Sequence, residues 1–422
     1  MRARKRIALA TTATRLAGSV MIVLVLTSGC ASRPDVLVPS STTVAGAKTV
    51  DLLVATTRAP STQQGVVFSG ERGQQMSLAS LKISIPPDAN RSIGQVQWPK
   101  RLPADPAREF STLSVEPIRD EASARQWHRR HRHEGGRVLI FVHGFKNGFQ
   151  ESVYRFAQIV HDSGADAVPV VFSWPSRNKV LDYNYDKESA NFSRDALEEL
   201  IRMTAQTPAV KDITIVAHSM GSWLAVEALR QMAIRDGRVA SKISNVILAS
   251  PDLDVDVAGA QWAAMGPHRP KFTILVSRDD RALWVSRLLA GNIDRLGQID
   301  ANSEQYRKHV LDNGATVIDL TDVKADEGLN HGKFAQSPEI VRLLGRRIAG
   351  QSITDEQVGM GDRVGAVVMG AAHTLGSATS LAVTAPIRLI EATDQNRTYP
   401  PLRSSTSTTA EKIKPEKRPN VR

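Results

Sequence analysis

The sequence holds one cysteine in 422 residues, Cys30, so no disulfide can form within the chain. Acidic residues are missing altogether from the first thirty positions, which carry Arg2, Arg4, Lys5, Arg6 and Arg15. Those five charges are a large share of the formal net charge of +11, and others lie in the C-terminal tail, so the body of the chain is only mildly basic. No basic stripe interleaved with aromatics is present, which argues against a nucleic-acid partner. No metal site is expected either. His128, His131 and His133 fall in a polar, charged stretch (100–136) that reads as a solvated helix and loop. Asp252, Asp254 and Asp256 lack the glycine and closing glutamate of a calcium loop. No feature calls for a cofactor.

What the chain does have begins at its N-terminus. A basic region is followed by the apolar run Val20–Leu26, the small residues Thr27, Ser28 and Gly29, and then Cys30. That layout is an export signal over residues 1–30 rather than a structural helix. It resembles a bacterial lipobox, with Cys30 as the lipidation site, although Thr27 stands where the pattern usually has Leu. A lipoprotein anchored in the cell envelope and facing the periplasm is the expectation. An uncleaved anchor, or an ordinary signal with an incidental cysteine, is the alternative. Residues 31–48 read as a tether, and residues 49–350 as one catalytic domain. Residues 351–395 form a Gly/Ala-rich segment whose stretch Val364–Ile390 suits a helix against a membrane, the body or a partner, with disorder as the alternative. Residues 396–422 read as a disordered basic tail.

Hydrophobic residues make up 41% of the chain, enough for a core. Val50–Thr57 and Leu81–Ile85 read as strands at one antiparallel edge. From Arg137 onward, short apolar runs alternate with amphipathic ones. Strands are expected at Val138–Val142, Val168–Ser173, Ile213–Ala217, Val246–Ala249, Phe272–Val276 and Thr316–Leu320. Helices are expected at Phe149–Asp162, Lys187–Thr204, Met220–Ile234, Ala282–Leu289 and Pro338–Ile348. This alternation predicts the α/β class, with a mostly parallel central sheet covered by helices on both faces.

The chemistry centres on Ala217-His218-Ser219-Met220-Gly221, between a β-branched strand and a helix. A serine with small neighbours two residues away on each side is the pattern of a nucleophile elbow, here with Ala for the first glycine. His143-Gly144-Phe145 closes the strand Val138–Val142, where the second oxyanion donor belongs, so the backbone N–H groups of Phe145 and Met220 are assigned to the hole. Asp280, past the strand Phe272–Val276, is the favoured acid, with Asp279, Asp254 and Asp252 as alternatives. His331, after the last strand, is the base, giving the order Ser219, Asp280, His331. His143 reads as structural. His143, His218 and Trp174 are also candidates to line the pocket, with plain packing equally open for Trp174. Asp186 reads as a cap for the helix near Lys187.

Together with Val54–Arg58, Phe68–Arg72, Phe172–Ser176, Ser250-Pro251-Asp252, Asp280–Leu283 and Asn330-His331-Gly332, these motifs resemble a bacterial esterase/lipase-like α/β-hydrolase family, domain of unknown function 900, over roughly residues 50–349. The resemblance implies an α/β-hydrolase fold and a Ser-Asp-His triad, and it implies no particular substrate. A serine hydrolase acting on small-molecule or lipid esters, or thioesters, through an acyl-enzyme is therefore the leading expectation. A catalytically inactive envelope lipoprotein that uses the same fold as a binding scaffold is the competing one.

Overall fold

The computed structural model describes residues 34–351, except 64, 301–302, 305, 307–314 and 326–327, together with 367–369. The export-type segment, Cys30, the basic tail and nearly all of Val364–Ile390 lie outside the described residues.

Ten strands form one sheet: β1 Lys48–Pro60, β2 Phe68–Ile85, β3 Ser111–Ile118, β4 Arg137–Val142, β5 Val168–Ser173, β6 Asp212–His218, β7 Ile243–Ala249, β8 Lys271–Val276, β9 Ala315–Asp319 and β10 Val367–Met369. Their order across the sheet is β10-β9-β8-β7-β6-β4-β5-β1-β2-β3. From β1 through β9 every neighbouring pair is parallel. The β1–β2, β2–β3 and β9–β10 pairs at the two edges are antiparallel. The helices are α1 Glu121–His131, α2 Phe149–Ser163, α3 Tyr183–Phe192, α4 Arg194–Gln206, α5 Met220–Asp236, α6 Val255–Met265, α7 Arg281–Leu289, α8 Lys333–Gln336 and α9 Pro338–Ile348.

The central strands are mostly apolar on both faces because both faces are covered, and the two-residue pleat sorts their side chains between two cores. In β4, Val138, Ile140 and Val142 join the core under α4, α5 and α6 (Leu200, Leu224, Trp262). Leu139 and Phe141 point the other way, into the core under α2 and α9 (Phe156, Leu343).

Three expectations are corrected. The stretch around residue 115, read as helix and loop, contains β3, an edge strand whose Pro117 and partly exposed polar residues give it no apolar alternation. The single helix at Lys187–Thr204 is two, α3 and α4, divided at Ser193, whose hydroxyl bonds the Ser189 carbonyl at 2.7 Å and the Thr57 hydroxyl at 2.7 Å. Within the segment read as helical, Val367–Met369 instead pairs as a strand along β9. Helix α6, not anticipated, starts where Asp254 caps the N–H groups of Asp256 and Val257. No helix among the described residues is long and apolar enough to cross a membrane.

Candidate active site

Strand β6 ends at His218 and helix α5 starts at Met220, so one residue must make the whole turn between them. That residue, Ser219, has φ 53° and ψ −124°, a conformation that serine occupies only when its surroundings impose it. The surroundings are specific. The Ser219 N–H donates to the Ala249 carbonyl at 2.9 Å, and its carbonyl accepts from the N–H groups of Ser222 and Asp252 at 2.9 and 3.2 Å. The neighbours leave no room for larger residues. A Cβ on Gly221 would stand 2.3 Å from the His143 carbonyl oxygen, and one on Gly144 would stand 2.8 Å from Cβ of Ser219. The His143–Phe145 loop is thus pressed against the turn at Ser219.

Met220 is the first residue of α5, so its N–H belongs to the turn that has no carbonyl partner within the helix. The positive end of the helix dipole faces the same place. Phe145 sits one residue beyond Gly144, its ring packed edge-on against Tyr183 with centroids 5.2 Å apart.

Asp280 and His331 come together. Asp280 is fully buried past β8. One carboxylate oxygen caps α7 by accepting from the Leu283 N–H at 3.0 Å, and the other lies 2.7 Å from Nδ1 of His331. A carboxylate on Nδ1 leaves Nε2 as the basic nitrogen. His331 is placed next to the nucleophile turn, its ring centroid 4.7 Å from that of His218 and its carbonyl 3.3 Å from Nε2 of His218.

The alternative acids have other partners. Asp254 caps α6. Asp252 is held by Ser286 at 2.6 Å, the Tyr183 hydroxyl at 3.1 Å and Nε of Arg295 at 3.4 Å. Burial and the Asp252 charge push the Tyr183 hydroxyl up to about 12, so it remains a proton donor to that carboxylate. Asp279 faces Lys333, at 2.8 Å, and Asn330, also at 2.8 Å.

Of the pocket candidates, Trp174 is fully buried, stacked on His143 at 4.8 Å and donating from its indole N–H to the His143 carbonyl at 2.7 Å, which is a packing role. His143 is buried as well. Its Nδ1 lies 2.9 Å from the Gly144 carbonyl, and its Nε2 lies 3.4 Å from Nη2 of Arg58 and 3.1 Å from the Trp174 carbonyl. Burial, then the Arg58 charge, drives this imidazole down to about 3. It is therefore neutral, with a carbonyl within hydrogen-bond distance of each ring nitrogen, Gly144 at Nδ1 and Trp174 at Nε2. His218 is half-buried against Phe334 and His331, and it too is held well below the ordinary range by burial and by His331.

The contacts of two buried residues are not evident from the sequence. Arg58, 1% exposed at the end of β1, donates to the carbonyls of Asn147 at 2.7 Å, Ser176 at 3.0 Å and Ser69 at 3.2 Å, and to the Ser173 hydroxyl at 2.9 Å. Burial pulls its guanidinium down to about 10. Asp186 caps nothing. It lies inside α3, fully buried, accepting from the backbone N–H groups of Lys146 at 3.2 Å and Arg177 at 3.1 Å and from the Ser176 hydroxyl at 2.5 Å. Arg58 and Asp186 both bond the segment 143–147, in which Lys146 has a positive φ of 54°. Arg58 belongs to the quoted motif Val54–Arg58, but a lone arginine at a strand end gives no sign of burial.

The profile of the family described as "Alpha/beta hydrolase of unknown function (DUF900)" matches residues 120–347. The chain belongs to this family. Within the DUF900 hydrolase, the matched region runs from α1 through α9 and includes Ser219, Asp280 and His331. Among curated proteins, an uncharacterized protein of Nostoc sp. is 47% identical over 64 residues, which is 15% of this chain. That match spans only 16% of the relative's own length. Among solved structures, an esterase of Pyrobaculum calidifontis is 12% identical with a TM-score of 0.31, covering 65% of this chain and 81% of that one. A lipase-esterase related protein of Clostridium acetobutylicum is 11% identical with a TM-score of 0.29, covering 52% and 96%. The DUF900 chain has a mostly parallel, helix-covered sheet, and it is an α/β hydrolase.

Proposed function

We propose that the protein is a serine hydrolase that cleaves carboxylic esters or thioesters through an acyl-enzyme. Ser219 is the nucleophile, His331 the general base and then general acid, and Asp280 the residue that fixes the imidazole's tautomer and stabilises its cation. The observation that carries this reading is the convergence of a positive-φ serine at the β6–α5 turn with a histidine whose Nδ1 sits 2.7 Å from a buried carboxylate.

In the forward step, Nε2 of His331 takes the Ser219 proton as Oγ attacks the carbonyl carbon. The oxyanion that forms is stabilised by the N–H groups of Met220 and Phe145, each such donor contributing roughly 2.7–4 kcal/mol. The imidazolium returns its proton to the leaving alcohol or thiol. Water repeats the sequence on the acyl-enzyme, releasing the acid.

The edge-on pair Phe145–Tyr183 borders this centre and supports an apolar acyl group. The proposed setting is the cell envelope, with the domain tethered to a membrane through lipidated Cys30. The support for that placement is the order of basic region, apolar run and cysteine in the sequence.

The test is turnover of short p-nitrophenyl esters. Wild type hydrolyses them, and Ser219→Ala loses up to about a millionfold in kcat. Equal activity in the variant contradicts the assignment. For the tether, Cys30→Ser releases the protein from the membrane fraction, and full retention contradicts lipid anchoring through that residue.

A further inference from the structure

We propose that Lys333, Asp279 and Asn330 form an ionic clamp that sets the position of His331 against Asp280 and keeps Asp279 away from the catalytic imidazole. This rests on the Ser219–Asp280–His331 reading.

Two loops meet at the base. One follows β8 and carries the consecutive carboxylates Asp279 and Asp280; the other carries Asn330 and His331 and leads into α8, whose first residue is Lys333. Two adjacent carboxylates beside one histidine are an ambiguous arrangement, because either could pair with it and each raises the cost of ionising the other. The structure resolves the ambiguity with a cation. Lys333 is 1% exposed, and its ammonium reaches both oxygens of Asp279 at 2.8 and 3.0 Å, the Ser277 hydroxyl at 3.1 Å and the carbonyls of Leu320 and Thr321 at 2.9 Å each. Asn330 donates to the same carboxylate at 2.8 Å from a backbone with φ 58°. The Arg281 N–H donates to the Leu329 carbonyl at 3.0 Å, fixing the two loops a second time. Asp279 thus faces away from His331 while Asp280 faces it.

Stability alone does not account for the arrangement. Burying an ammonium and ordering a lysine side chain are both costly, and apolar residues of similar size commonly serve a core as well or better. What a buried, oversaturated ammonium does supply is a fixed distance between the strand end that carries the acid and the loop that carries the base. It ties in the end of β9 at the same time.

The clamp also places charge near the base. The titratable and charged groups around His331 among the described residues include Asp280 after β8, His218 at the end of β6, and, further out, Asp279 and Lys333. Lys333→Met leaves the Asp279 anion uncompensated, which favours the imidazolium. Asp279→Asn leaves the ammonium uncompensated, which disfavours it. The His331 ring protons, followed by NMR through a pH titration, therefore report the clamp without any need for turnover. The expected result is a His331 midpoint raised by about one pH unit in Lys333→Met and lowered in Asp279→Asn, with the double variant returning toward wild type. With p-nitrophenyl esters, Lys333→Met lowers kcat by roughly 10–100-fold with KM little changed, since a misplaced base harms the chemical step rather than binding. The acid limb of kcat/KM moves in the same direction as the NMR midpoint. Asp279 is 38% exposed and its replacement by Asn keeps its shape, so that variant carries the test should Lys333→Met not fold. Midpoints equal to wild type in the folded variants overturn the proposal. An inert wild type with displaced midpoints in the variants contradicts the hydrolase reading instead and leaves the clamp standing.

Discussion

The carboxylate of Asp280 holds Nδ1 of His331 at 2.7 Å while its other oxygen caps helix α7. One buried side chain thus joins the position of the base to the start of a helix. In Asp280→Asn the amide can still cap α7 through its oxygen, but it then turns an N–H toward Nδ1 and favours the wrong tautomer. A fall in kcat of about ten-thousandfold is expected, with the melting temperature little changed. Stopped-flow ester hydrolysis and thermal melts measure the two effects separately.

The nucleophile turn depends on close approach. An added methyl on Gly221 meets two backbone oxygens, those of His143 at 2.3 Å and Val142 at 2.7 Å, and neither can swing aside as a flexible side chain would. Gly221→Ala is expected to displace the oxyanion loop and lower kcat by at least about a hundredfold. Ala217→Gly, which restores the commoner residue on the other side of the serine, is expected to keep activity and to cost about 1 kcal/mol or less in chaotrope unfolding.

Arg58 and Asp186 both bond the segment 143–147, and neither is exposed. Arg58→Met removes five bonding contacts and the cation that eases the burial of Asp186. Loss of about 3 kcal/mol of stability is expected. Arg58→Lys is expected to recover little, because a point charge cannot serve the fork of carbonyls that the guanidinium spans. Urea unfolding of the three proteins at neutral pH measures the difference.

The buried imidazoles set a pH dependence. Burial and Arg58 push His143 down to about 3, and burial and His331 hold His218 well below its usual range. Below about pH 6.5 the unfolded chain binds protons at both sites and the native protein does not, so stability falls as pH drops. Between about pH 6.5 and 5, His143 contributes a loss of roughly 1.6 kcal/mol, and His218 acts in the same direction. Urea midpoints measured across that window are expected to slope upward with pH, and His218→Gln is expected to flatten the slope.

Most of the sheet was legible because its parallel strands are apolar on both faces. The proposed triad could be read from the sequence because Ser219, Asp280 and His331 each follow a strand in the order such a fold uses, and the structure brings Asp280 and His331 together. What escaped was whatever depends on distant partners. Edge strand β3 carries too little apolar pattern to be recognised without β2 beside it. Asp186 has the look of a helix cap until its contacts with Lys146, Ser176 and Arg177 are seen. Lys333 stands two residues after the base as an ordinary charge, and only the fold reveals it buried against Asp279.

The most direct test of the account is reaction of the folded protein with a fluorophosphonate, followed by mass mapping of the adduct. A single phosphonylated peptide bearing Ser219, absent in Ser219→Ala and strongly slowed in His331→Ala, is the expected result. A folded wild-type protein that forms no adduct, or forms it at another residue, contradicts the assignment of Ser219 as the nucleophile.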